Sequence, residues 1–155
     1  MKKIRIEIAT LDSIRELAIL HRELRNTENN YDSNLNEIEN GKDRESKFRD
    51  FLLRERTICY IARLDDEFIG YVSGYIADDL TVYKEPVGEL AAIVVVQRCR
   101  NHGIGEQLLK QFEKWCVGNG AKYIRLSVFY NNHKAISMYK KNGYGEYTID
   151  LRKKI

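Results

Sequence analysis

The sequence predicts a mixed α/β fold (an α+β arrangement), a central sheet with helices on both faces, in the order β α α β β β α β α β. Three observations carry this. Ile4-Arg5-Ile6-Glu7-Ile8 alternates apolar and polar residues with the period of a half-buried strand. The run from Glu89 to Val96 is apolar after its first residue and β-branched toward its end, which suits a buried strand. Directly after it the period changes, and Ile104, Leu108, Leu109, Phe112, Trp115 and Cys116 share one helical face.

The elements follow in order. Thr10 or Asp12 caps a first helix whose inner face is Ile14, Leu17, Ala18, His21 and Leu24. His21 lies in that apolar stripe with no partner motif around it and reads as a core-edge histidine. Residues 26–46 carry Glu28, Asp32, Glu37, Glu39, Asp43 and Glu45 against Lys42 and Arg44, a local charge of −4 from six acidic and two basic residues. This stretch is either a solvated loop and helix start or a substrate-facing rim that attracts cations. Tyr31 and Leu35 would anchor the rim, and Tyr31 and Asp32 are its candidate substrate contacts. Phe48, Phe51 and Leu52 mark a second helix. Thr57–Leu64 and Phe68–Ala77 form a hairpin about Asp65-Asp66-Glu67, with Gly74 marking a bulge or bend. Asp78-Asp79 opens a loop that Pro86 ends. Gly118 and Gly120 close the helix after the central strand. Tyr123–Phe129 is a further strand, Asn131 or Asn132 caps a helix stopped by Gly143, and Tyr144–Leu151 is a final strand. Lys153-Lys154 reads as a solvated tail.

Composition bounds the rest. A chain of 155 residues suits one domain spanning 1–155 with one core. Charged residues make up 32% and hydrophobic ones 43%, the balance of a soluble globular protein. The net charge of +3, 26 basic against 23 acidic residues, is too small and too scattered to point to nucleic acid. Cys59, Cys99 and Cys116 have no metal-ligand spacing, so a reduced cytoplasmic thiol set and no metal are expected. Met1-Lys2-Lys3 is basic but lacks the apolar run of a signal peptide, and no stretch is long enough to span a membrane.

Between the central strand and its helix stands Arg100-Asn101-His102-Gly103-Ile104-Gly105-Glu106. A helix start offers unpaired N–H groups and the positive end of the dipole. Glycines let a bulky anion approach the backbone, and Arg100 adds a fixed charge. The segment therefore reads as a pyrophosphate cradle; the alternative is a glycine turn before an ordinary helix. A P-loop is excluded, because Glu106-Gln107 follow the second glycine where Lys-Ser/Thr is needed. A dinucleotide fingerprint is excluded because Leu108 occupies the position of its third glycine or alanine.

Arg100-x-x-Gly103-x-Gly105 after an apolar strand resembles the acetyl-CoA signature of the GNAT superfamily of N-acetyltransferases. A second motif of that family, Asn-x-x-Ala-x-x-x-Tyr followed by a Gly-aromatic pair, is matched by Asn132, Ala135, Tyr139 and Gly143-Tyr144. The two motifs cover residues 88–144. The resemblance implies a mostly antiparallel sheet splayed into a V between Glu89–Val96 and Tyr123–Phe129, with acetyl-CoA as cosubstrate. The pantetheine arm would lie in the splay against the backbone of Ile93, Val94 and Val95. The phosphates would lie on Arg100, Asn101, His102, Gly103, Ile104, Gly105 and Glu106. Asn132 would contact the pantetheine or phosphate arm, unless it is simply a helix cap. His102 stands where the family often has Lys or Arg, which weakens the contact when the ring is neutral. Asn101 replaces a small residue, and a backbone contact survives that change.

Amine acetylation from a thioester needs a neutral amine, a stabilised oxyanion and a leaving thiolate that is protonated or tolerated. The first candidate base is Glu89, eleven positions before Arg100, an offset similar to that of the glutamate of the histone-acetyltransferase-like branch. Alternation puts it on the face of Ala91, Ile93 and Val95. Otherwise it is an exposed strand-end carboxylate. Tyr139 resembles the family's motif tyrosine, which donates to the departing sulfur; otherwise it packs its helix. The N–H of Val95 is the expected oxyanion donor. The resemblance thus implies an enzyme acetylating a primary amine of a small molecule or peptide by direct attack in a ternary complex, without nucleic acid or membrane. A homodimer is admitted because dimers are common in the family. The alternative is a sensor of the same fold that binds acetyl-CoA without turning it over.

Overall fold

Alternating and apolar strands separated by helical periods assemble into one five-stranded sheet, ordered β1-β2-β3-β4-β5. The strands are β1 (Ile4–Ile8), β2 (Thr57–Leu64), β3 (Glu67–Ala77), β4 (Val87–Val95) and β5 (Tyr123–Arg125). The structure, a computed structural model, describes residues 3–35, 41–77, 81 and 83–155. The predicted acidic positions Glu37 and Glu39 and the loop opening at Asp78-Asp79 lie outside the described residues. β1 to β4 pair antiparallel in sequence, and β4 pairs with β5 in parallel. The β2–β3 hairpin turns at Asp65, which takes the left-handed φ of 54° that aspartate tolerates.

The helices cover both faces, as predicted. α1 (Ile14–Glu28) and α2 (Gly41–Leu53) lie on one face, where His21 and Phe48 both contact Tyr71. α3 (Ile104–Gly118) lies on the other and buries Ile104, Leu108, Leu109, Phe112 and Cys116, the predicted stripe without the half-buried Trp115. α4 (His133–Lys141) follows β5. His21 is the core-edge residue that its position implied, its Nδ1 2.7 Å from the buried Tyr71 hydroxyl.

Two predicted strands differ. β5 ends at Arg125 rather than Phe129, because it meets β4 only over Val87–Glu89. Beyond that point β4 has no paired neighbour on its β5 side among the described residues, and this opening is the expected V. The final strand Tyr144–Leu151 is not formed. Its alternation is real, but among the described residues no backbone hydrogen bond joins 145–155 to another segment, and a strand needs a neighbour.

Candidate active site

The β4 backbone sets the orientation of the open edge. Val96 N–H donates to Ile69 C=O at 2.9 Å, on the β3 side. Successive residues of a strand point their polar groups to opposite sides, so Val94 also faces β3 while Ile93 and Val95 face the splay. The Val95 carbonyl accepts from Arg100 Nε at 2.8 Å. Its N–H remains directed into the opening.

The turn after β4 builds a row of donors. Asn101 and Gly103 take left-handed φ angles of 63° and 75°, and Gly103 is the N-cap of α3. The first helical bond is Gln107 N–H to Gly103 C=O at 3.0 Å, so the amides of 101–106 have no acceptor among the described residues. An anion fits such a concavity. The Arg100 side chain is committed elsewhere. Besides Val95 it reaches Thr27 Oγ1 at 3.3 Å and Glu23 Oε1 at 3.6 Å, and Glu23 also accepts from Gln97 N–H at 2.7 Å. Arg100 thus braces α1 against the turn and leaves its neighbours' amides open. The guanidinium that the motif suggested as a phosphate contact is engaged here by Glu23 and Thr27. His102 Nδ1 lies 2.8 Å from the Arg100 carbonyl, which holds the ring to the turn. Glu106 turns away to Lys141 Nζ at 2.8 Å, tying α3 to α4. Ile104 is buried, and a Cβ on Gly105 would stand 3.3 Å from Met138 Sδ, so the glycine lets α4 pack close to this turn.

Glu89 is buried, and its Oε1 lies 2.7 Å from Arg125 NH2. It is not the exposed strand-end carboxylate that was the alternative. Its face also differs from the one alternation gave. Ser73 pairs with Ala92 and Gly74 with Leu90, leaving Ala91 unmatched as a bulge. The extra residue shifts the alternation. Glu89 lies opposite Tyr75 with Ala92 and Val94, on the α1–α2 side, while Ile93 and Val95 lie on the α3 side. Gly74 is required there, because a Cβ on it would collide with the Glu89 carbonyl and the Phe112 ring.

Tyr139 is buried on α4, edge-on to Tyr144 at a centroid distance of 5.7 Å, and burial pushes its phenol up to about 12. Its hydroxyl makes no hydrogen bond among the described residues, whereas Tyr144 Oη donates to Glu113 Oε1 at 3.0 Å. Asn132 is the N-cap of α4, its Oδ1 accepting from Ala135 N–H at 3.2 Å, so the capping role is the one the geometry displays. On the rim, Tyr31 stacks on Phe129 with centroids 6.0 Å apart, and Asp32 receives Arg152 NH1 at 2.6 Å. That pairing, with the bond from Asn34 N–H, holds the Asp32 carboxyl below its ordinary range. Sequence reading missed Arg125 and Glu23, the partners of the two motif residues. The parallel register of β5 could have found Arg125; nothing local marks Glu23, 77 positions before Arg100.

Comparison with known proteins bears on this site. The model of the Acetyltransferase (GNAT) family matches residues 20–144. Two relatives from Bacillus subtilis (strain 168) carry the description uncharacterized N-acetyltransferase. YhfO is 33% identical over 97 residues, 63% of this chain and 64% of that protein. YobR is 37% identical over 57 residues, 37% of this chain and 23% of that protein. The chain therefore matches less than two thirds of the length of either relative. Among solved structures, the "Putative acetyl transferase from Pyrococcus furiosus" superposes with a TM-score of 0.79 at 27% identity, over 99% of this chain and 100% of that one. The aminoglycoside N-acetyltransferase AAC(6')-Iy, solved in complex with CoA, gives a TM-score of 0.78 at 17% identity, over 100% of this chain and 97% of that one. At that identity it shares the fold.

Proposed function

The chain belongs to the acetyltransferase (GNAT) family, and from that premise we propose that it moves the acetyl group of acetyl-CoA to a primary amine of a small molecule or peptide, by direct attack in a ternary complex. The observation that carries this reading is the row of acceptor-free amides at 101–106 standing at the mouth of the β4–β5 splay. The row suits a pyrophosphate, and the splay suits an extended chain with amides of its own. The CoA-bound relative with the same fold supports the same cosubstrate.

The proton work falls to this chain's own residues. A lysine-like amine has a reference pKa of about 10.4 and arrives charged. Glu89 takes its proton, directly or through water, from the α1–α2 side of the sheet. The Val95 N–H, directed into the splay, donates to the developing oxyanion. Tyr139, held protonated by burial, donates to the departing sulfur. Tyr31 and Asp32 line the acceptor side, near Phe129. The three free cysteines suit a reducing cytoplasm, with the described residues working as one unit over 1–155.

Release of free thiol from acetyl-CoA, measured across a library of primary amines, tests the reading. Acceptor-dependent release is expected, and no release with any amine would overturn it. A second reading, binding without turnover, draws on the Glu89–Arg125 pair, which occupies the carboxylate. In that case calorimetry registers acetyl-CoA binding while the same library releases nothing.

A further inference from the structure

Glu89 on β4 has Arg125 of β5 as its register partner on one side and Tyr75 of β3 on the other. The three side chains form a row across the α1–α2 face of the sheet. Glu89 Oε1 is shut off from water and accepts no aligned hydrogen bond among the described residues, so its 2.7 Å contact with Arg125 NH2 holds by charge. The guanidinium is 44% exposed, and its NH1 and Nε make no hydrogen bond among the described residues. The Tyr83 ring lies 5.5 Å from the guanidinium carbon, and Tyr75 is 38% exposed.

The pair sets a chemical condition on the reaction. A proton delivered to Glu89 cancels the charge that holds Arg125, and the guanidinium is then left without its anion. That cost is offset when the acceptor brings an anion of its own. A guanidinium is a planar fork that grips a carboxylate through two nitrogens, and two of the three nitrogens of Arg125 are open.

We propose that the acceptor is an α-amino acid, whose ammonium sits on Glu89 while its carboxylate takes Arg125 and draws the guanidinium off the base. This rests on the acetyl-transfer reading and narrows its acceptor. Opposite charges 2.7 Å apart match the ammonium and carboxylate borne by one carbon. Each charge of the acceptor meets its opposite, so one ion pair is exchanged for two and no charge is left unpaired. Tyr75 and Tyr83 offer ring surface to the acceptor's side chain. A plain monoamine brings no anion, and Arg125 stays on Glu89.

The step balances. The ammonium gives one proton to Glu89, and the nitrogen lone pair attacks the thioester carbonyl carbon. A C–N bond forms and the C–S bond breaks, the bonding pair leaving on sulfur. Sulfur takes a proton from Tyr139, and the second proton shed by nitrogen replaces it. The products are an N-acetyl amino acid, the CoA thiol and the proton that Glu89 returns to water.

Thiol release from acetyl-CoA tests this, measured over a panel of primary α-amino acids, each beside its carboxamide and its decarboxylated amine. At least one amino acid should exceed both of its analogues in kcat/KM by about 10²-fold or more. In Arg125→Gln that ratio should collapse toward one. Arg125→Lys keeps the charge beside Glu89 and loses the fork, and it should cut the ratio about tenfold, which covers a Gln variant that fails to fold. Equal or faster wild-type turnover of the analogues overturns the proposal and leaves acetyl transfer standing. A ratio that survives undiminished in the folded variants overturns it too. Release from no amine at all overturns acetyl transfer itself, and this proposal with it.

Discussion

The Glu89 carboxylate meets the Arg125 guanidinium at 2.7 Å, across the last register pair that β4 and β5 share. The pair sits at the vertex of the V. One residue further along, β4 loses its β5 partner and its backbone becomes available to a ligand. The two ends differ in environment: the Glu89 side chain is 11% exposed, and that of Arg125 is 44% exposed beneath the Tyr83 ring. Arg125 therefore neutralises a buried carboxylate from a wet position and holds the two strands together where they part.

Removing either partner has a different consequence. Arg125→Met leaves Glu89 buried without its cation, and about 1–3 kcal/mol of stability should go, discounted from the 3–5 of a fully buried pair because the guanidinium is half exposed. Glu89→Gln keeps the shape and removes the base. Turnover should fall by about 10²–10⁴-fold with acetyl-CoA affinity kept. Denaturant midpoints and single-turnover rates separate the two effects. Undiminished single-turnover rates in Glu89→Gln would remove Glu89 from the proton path.

Gly103 tests the cradle through its backbone. Its φ of 75° is left-handed, and no atom lies within 4 Å of a Cβ built there. A substitution therefore meets strain and the incoming anion, not a packing clash. Gly103→Val should cost about 1–2 kcal/mol for the left-handed conformation and weaken acetyl-CoA binding at least about tenfold. Calorimetry on the folded variant checks this, and unchanged affinity would contradict the cradle.

Much of the frame was legible because its signals are local. The β2–β3 hairpin, the α3 stripe, the Gly103–Gly105 turn and the Asn132 cap each follow from a few adjacent residues. The flag on Gly74 was sound, but the extra residue lies across the ladder at Ala91, which carries no turn signature. Alternation read through it put Glu89 on the wrong face of the sheet. Arg100 was legible as a motif residue and not as a brace, because Glu23 and Thr27 reach it only through tertiary packing. The alternation of Tyr144–Leu151 is real, and it still forms no strand, because among the described residues no backbone hydrogen bond joins 145–155 to a neighbouring segment.

Asp32 and Arg152 give the acidic rim a test with two signs. If the rim recruits a cationic acceptor, Arg152 competes for the same carboxylate. Asp32→Asn should raise the acceptor KM, and Arg152→Ala should lower it, each by a few-fold, with the acetyl-CoA KM unchanged in both. Added salt should shrink the differences. Movement of both acceptor KM values in the same direction would show that the pair acts only by holding the C-terminal segment in place.

Tyr139 links stability and chemistry through one hydroxyl. Burial pushes its phenol from 10.0 up to about 12, and burial likewise pushes the Cys59 thiol from 9.0 up to about 12. Both pKa values are raised in the folded state. Between pH 9 and 12 the unfolded chain therefore binds fewer protons than the folded one, and stability falls as pH rises. The loss is absent below the unfolded pKa values, builds through that window as pH rises, and reaches on the order of 2–4 kcal/mol per group above the folded ones. Tyr139→Phe keeps the ring against Tyr144 and removes the titrating atom, which has no hydrogen-bond partner to orphan among the described residues. Stability at pH 7 should change by less than about 1 kcal/mol, and the alkaline loss should shrink. Denaturant unfolding at neutral and alkaline pH reads this half. Turnover reads the other: a proton donor to the departing sulfur should cost about 10²–10⁴-fold when removed, at unchanged acetyl-CoA affinity. A tyrosine that only packs would give the same stability profile with full turnover, and that result would leave the leaving group to be protonated by water.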